Sequence, residues 1–419
     1  MRLLEIILQT LITAILMAVC LTHSAPPPPT TGEKLRFITE ADHFDFTTWT
    51  IDASWIKLQQ NVIGSPDYFS FRNQRQIVFD YLVTVIEIEQ IERDLELIYA
   101  DPSIVDPDHE SADERAELTR LVTRQNDLAP LAEATLERQI TAILIENDLH
   151  LGGQIIPWVL AHITPLPKNL ILSRRDKIEQ ISNILVRPDL TVDEMEKIEV
   201  DVDQKLDASS LIEEIGGVGT YPSMILRNPD PIWLISTFAH EWIHNYLELR
   251  PLGQNYGTTP ELRTMNETTA SIVGDEIGLL VIERFYPDIM EFIQPHGAKY
   301  FRNEIAFDYN KEMHTTRVRA DELLAEGKIE EAEAYMEERR VFFWENGYHI
   351  RKLNQAFFAF HGAYADSPGG AAGEDPVGPA VRALRAQSPT LKDFLDRIAQ
   401  MDSFDDLLEA INSTPQDTP

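Results

Sequence analysis

Residues 238–246 read Phe-Ala-His-Glu-Trp-Ile-His-Asn-Tyr, and they hold the side chains of this 419-residue chain best placed to do chemistry. His240 and His244 stand four apart, so on an α-helix their imidazoles lie on one face, one above the other. Two imidazoles at that separation can hold one zinc ion. Glu241, one residue round, can reach a water bound to the same metal. The chemistry on offer is hydrolysis: the metal acidifies the water and the carboxylate takes its proton. Ile232, Trp233, Leu234, Ile235, Phe238, Ala239, Trp242, Ile243 and Leu247 make the segment apolar on most sides, as expected of a buried helix. Unpaired polar groups on such a helix are costly, and one metal satisfies both histidines and the glutamate.

This pattern resembles the His-Glu-x-x-His signature of the zincin metallopeptidases. The resemblance implies one zinc per chain, three protein ligands and water in the fourth position. One zincin branch continues as His-x-x-Gly-x-x-His, but Leu247 and Arg250 occupy those positions here, which excludes it. The other branch, the gluzincins typified by thermolysin, takes its third ligand from a glutamate on a second helix, often introduced by Asn-Glu. Asn266-Glu267 fits, after 22 intervening residues that include a loop from Pro251 to Pro260 with Gly253 and Gly257. Ala270, Ser271 and Gly274 share the Glu267 face and are small enough to let two helices approach closely. Glu276 is the rival third ligand. The family's acidic residue four after the ligand glutamate is Ser271 here, so the role of holding a histidine would fall to Asp275.

The same resemblance gives Glu241 the role of general base in peptide hydrolysis and calls for a donor to the oxyanion. Tyr364 is the first choice, with His361, His314, His349 and Tyr246 as alternatives. Residues Leu353 to Tyr364 also loosely resemble an Asn-and-Tyr motif late in bacterial proteins labelled as aminopeptidases. Residues 216–226 are glycine-rich and then strand-like, ending just before the metal helix. In gluzincins an edge strand stands there and pairs with the peptide substrate. Pro222 would suit an edge, and a plain loop is the alternative.

The remaining chain must position these groups, and it is dominated by helical periodicity. Arg75–Tyr99, Glu114–Asn126, Ala132–Asp148 and Leu190–Leu206 read as helices, the last opened by a Thr191–Glu194 capping pattern. Asp321–Ala325 and Ile329–Arg340 read as a helical hairpin broken at Gly327, and Leu391–Ile411 as a final helix. The expected fold class is α+β, predominantly α-helical, with a zincin-like core, a small sheet with an edge strand and flanking helical segments. The boundaries expected are 1–24 for a signal or anchor, 25–45 for a Pro-rich linker and 46–210 for a helical N-terminal region. The zincin core then spans 211–290, a helical C-terminal lobe 291–413 and a polar tail 414–419.

The termini and charge bound location and partners. Arg2 precedes an apolar run from Ile6 to Leu21, and Pro26–Pro29 follow as a stiff spacer. This predicts an extracytoplasmic domain anchored through residues 3–22, or a secreted one if the chain is cut near Ala25. Cys20 is the only cysteine, so the exported part has no disulfide and depends on its core. With 36 basic against 69 acidic side chains, the net charge of −33 repels nucleic acid and anionic lipid, and the peptide or protein substrate expected as partner is what the zincin resemblance implies. The competing function is a catalytically idle zincin-like domain that binds peptides or proteins at the membrane. An intact Glu241 favours the enzyme, since an idle site has no need of the base.

Overall fold

Among the described residues helices predominate, and six short strands fall into two three-stranded sheets, an α+β arrangement. A computed structural model describes residues 29–63, 65–100, 106–289, 307–362 and 376–412, so the expected signal or anchor lies outside the described residues. Among the described residues no helix is long and apolar enough to cross a membrane.

The first sheet is antiparallel in the order β3 (Gln180–Val186), β2 (Lys168–Arg174), β4 (Ala208–Glu213). Leu170 and Leu172 of β2 face one cluster, with Leu35 of α1 (Thr31–Ile38) and Val202 of α5 (Val192–Leu206). Ile171 faces the other, with Phe358 and Met313. Both faces of β2 are therefore covered, and its Leu-Ile-Leu run carries no alternation to mark it as a strand. This corrects the helical reading of 46–210. After α2 (Phe46–Ile63) and α3 (Phe71–Ala100), helix α4 (Ala112–Glu146) ends and strands take over from Ala161. The Pro-rich linker expected over 25–45 is also shorter at its C-terminal side. Thr30 and Glu33 form a capping box that starts α1, and Leu35 is fully buried.

Helix α4 runs unbroken across Pro130, where two helices were expected. Leu121, Ala132, Leu136, Ile140 and Ile143 stay on one face and are buried, so packing on both sides outweighs the missing N–H of the proline. The reverse occurs at the C-terminus. The helix expected over 391–411 divides into Leu391–Ile398 and Phe404–Asn412, the second begun by Ser403, whose Oγ accepts from the Asp406 N–H at 3.3 Å. The hairpin is as expected in place and longer in both arms, Tyr309–Ala325 and Ile329–Glu345, with Gly327 at φ 76° between them.

The second sheet has the order β1 (Ala161–Ile163), β6 (Ser223–Ile225), β5 (Gly217–Val218). β1 is parallel to β6, and β5 is antiparallel to it. On its other side β1 has two carboxylates where a strand would be. Glu137 and Glu133 of α4 accept from the backbone N–H groups of Ala161 and Ile163, each at 2.8 Å. Lys57 of α2 reaches both glutamates, at 2.7 and 2.8 Å.

Burial pushes the Glu213 carboxyl of β4 up to about 7, against the pull of the nearby Arg351 guanidinium. In the unfolded chain the same group titrates near 4.5, so the folded state holds its proton more tightly. The stability from this site is therefore full below about 4.5 and is lost as pH rises through about 7. Urea melts of the native chain and Glu213→Gln between those limits should diverge, with the native curve falling more as pH rises. Parallel curves would count against this assignment.

Candidate metal centre

Two helices build the site, and both begin with the same local device. Asp230 caps α6 (Pro231–Glu248) by accepting from the Ile232 and Trp233 N–H groups, with Pro231 in the first position. Thr259 caps α7 (Pro260–Phe285) in the same manner, followed by Pro260. The helices cross where side chains vanish. A Cβ on Gly274 would stand 2.9 Å from the Ser236 carbonyl oxygen and 3.1 Å from His240 Cβ. Gly274→Ala is expected to cost about 1–3 kcal/mol by overpacking and to weaken metal binding by moving Glu267 away from the histidines. Denaturant melts paired with zinc titration test this, and an unchanged zinc affinity would contradict it.

At the crossing, His240 Nε2 and His244 Nε2 stand 3.1 Å apart. Glu267 Oε2 lies 3.6 Å from the first and 3.5 Å from the second. The three side chains form a group that could hold a metal ion. Ligands about 2.0–2.1 Å from a tetrahedral zinc are separated by roughly 3.3–3.4 Å, and the three observed separations bracket that value. The Asn266 side-chain carbonyl accepts from His244 Nδ1 at 2.8 Å, which leaves the Nε2 lone pair directed at the centre. Tyr256 donates to Glu267 Oε1 at 2.5 Å. Oε2 of the same carboxylate is buried with no hydrogen-bond partner. An orphaned buried carboxylate oxygen facing two imidazole nitrogens is what a metal ligand set requires.

The electrostatics agree. Burial alone would raise Glu267, yet the two histidines hold its carboxyl far below the usual range. Burial alone would lower His244, and the Glu267 carboxylate outweighs it and pushes the imidazole up to about 9. Positive charge is thus strongly favoured at this point. Glu241 is buried beside the pair, and burial raises its carboxyl above the ordinary value. Its pocket is shaped by glycine: a Cβ on Gly217 would run into the Glu241 carboxylate. Asn245 fixes that segment to the helix, donating to Thr220 O at 3.1 Å and Ser223 Oγ at 2.9 Å.

The strand-like reading of 216–226 resolves into two strands. The edge is Gly217–Val218, and the Ser223–Ile225 strand after Pro222 is central. Gly217, Val218 and Gly219 line the same cleft as His240, Glu241, His244 and Glu267. Glu276 is not brought to the centre. Its carboxylate is gripped by Arg385, with both bonds at 2.8 Å. Asp275 is exposed, and Asn266 fills the place beside His244 that was expected of it.

Of the oxyanion candidates, Tyr364 lies outside the described residues, and none of the others lines the cleft. His361 packs on Phe357 at 4.2 Å and is pushed down to about 4 by burial. His349 packs on Trp344 at 4.1 Å, and Tyr246 lies under Arg250 with 3.3 Å between them. His314, on the Tyr309–Ala325 helix, is likewise away from the cleft lining. Among the polar cleft residues that sequence reasoning missed are Tyr256, Asn266 and Arg263. Only Asn266 had a signal, as the partner of Glu267 in the Asn-Glu pair. Compared with protein-family models, curated proteins and solved structures, the chain gives no match to any.

Proposed function

We propose that the chain is a zinc metallopeptidase with a gluzincin-type core, acting on peptides or proteins outside the cytoplasm. The observation that carries this reading is the orphaned Glu267 Oε2 at 3.5 and 3.6 Å from two imidazole nitrogens, with the buried Glu241 alongside. His240, His244 and Glu267 would hold one zinc, which supplies Lewis acidity and brings a water's pKa toward about 7. Glu241 takes a proton from the attacking water and hands it to the leaving amine, and its raised affinity for a proton suits both transfers. The Gly217–Val218 edge offers backbone groups to an extended peptide laid along the cleft. Tyr256 keeps Glu267 oriented by donating its hydroxyl to Oε1 at 2.5 Å.

The zinc-loaded chain is expected to cut members of a broad peptide library, to stop when a chelator removes the metal and to resume when zinc is restored. Cut positions separate an endopeptidase from an aminopeptidase. A chain that holds stoichiometric zinc and cuts nothing supports the idle peptide-binding domain instead. Attachment to the membrane rests on the apolar run Ile6–Leu21 and is tested by the N-terminal sequence of the mature chain. A start near Ala25 would make the domain secreted.

A further inference from the structure

Arg263 stands out in the cleft. It lies one helical turn before Glu267 on α7 and lines the same cavity as the metal ligands. Its Nη2 donates to the Ala359 carbonyl at 3.0 Å, while its Nε is buried with no hydrogen-bond partner. A neighbouring arginine gives the contrast. Arg317 donates to the adjacent carbonyl of Phe358 at 3.1 Å, and its Nε is satisfied by Asp321 at 2.7 Å. Both arginines thus tie down the end of the Gln355–His361 helix, and among the described residues only Arg317 of the two has a carboxylate. In a chain with 69 acidic against 36 basic side chains, a half-buried guanidinium that meets no carboxylate among the described residues is unusual. An unpaired buried donor is costly, and a planar fork suits a carboxylate.

We propose that Arg263 is a specificity residue that takes a carboxylate of the substrate, either an Asp or Glu side chain or the peptide's C-terminus. The proposal rests on the peptidase reading and narrows its substrates to acidic peptides or those cut near their C-terminal end. The chain's own negative charge opposes such substrates at a distance, but salt screens that field over about 8 Å. The contact with Arg263 acts at hydrogen-bond range.

The test is calorimetric binding of small peptide hydroxamates to the zinc-loaded full chain. The hydroxamate anchors each probe on the metal without turnover. Probes carry Glu or Gln beside the anchor, each with a free or amidated C-terminus, so the two sources of carboxylate are read separately. At least one carboxylate is expected to tighten Kd by about 10- to 100-fold over its amide twin, the usual range for a charge-assisted pair. Arg263→Met should abolish that difference and leave both the zinc content and the affinity of the amide twins unchanged. Arg263→Lys should keep part of it, since charge remains without the fork. Equal affinities in the native chain, or a preference that survives Arg263→Met, overturn the proposal and leave the peptidase reading standing. If no hydroxamate binds the zinc-loaded chain, the open metal position is itself absent, and both readings fall.

Discussion

Glu241→Gln is expected to lower peptide cleavage by about 10²–10⁴-fold while zinc content and stability stay unchanged. The side chain is buried, and β5 packs so closely on it that no Cβ fits at Gly217. Gln keeps the size and polarity that this pocket demands, so the fold has little to lose. What it loses is the ability to accept a proton from water. Glu241 contributes no ligand atom to the group of His240, His244 and Glu267, so the metal should be retained. Single-turnover cleavage measured beside metal analysis separates these effects. Activity within about threefold of native would remove Glu241 from the mechanism, because a general base cannot be dispensed with so cheaply.

The second large effect lies far from the chemistry. Lys57 is 2% exposed and holds Glu133 and Glu137, which are 0% and 8% exposed. Burial would raise Glu133, yet Lys57 and His162 hold it down to about 2, whereas burial keeps Glu137 above its ordinary value. Lys57→Met leaves two buried carboxylates without their cation, and breaking a buried pair in this manner costs about 3–5 kcal/mol. The damage should spread to β1, whose edge N–H groups depend on the same two glutamates. Urea unfolding reads the loss directly. Lys57→Met with Glu133→Gln should recover part of it, because the variant pair no longer buries a second charge. A loss below about 1 kcal/mol for Lys57→Met would show that the carboxylates are already neutral.

What the sequence disclosed followed from the range of the interactions involved. His240, Glu241 and His244 sit on one helix, where period alone fixes their relation. The choice of Glu267 over Glu276 did not follow from spacing. The contact that sets them apart in the structure is the grip of Arg385 on Glu276, made across 109 positions of the chain. Tyr256 and Arg263 were invisible for the same reason, since neither a loop tyrosine nor an i−4 arginine carries a period. The capping boxes at Thr30 and Thr191 are local, and both hold in the structure, although the first was hidden by the prolines before it. β2 escaped because a strand covered on both faces has the same apolar run as a short buried helix. Pro130 misled in the opposite sense, as a local breaker overruled by a stripe that stays in phase.

The central claim is that one zinc is held by His240, His244 and Glu267. Metal analysis of the purified chain, with zinc-edge X-ray absorption for the donor atoms, tests it most directly. The expected result is one zinc per chain with two imidazole nitrogens and oxygen donors, loss of the metal in Glu267→Ala and retention in Glu276→Ala. Full zinc in Glu267→Ala, or sulfur or a third imidazole among the donors, would contradict it.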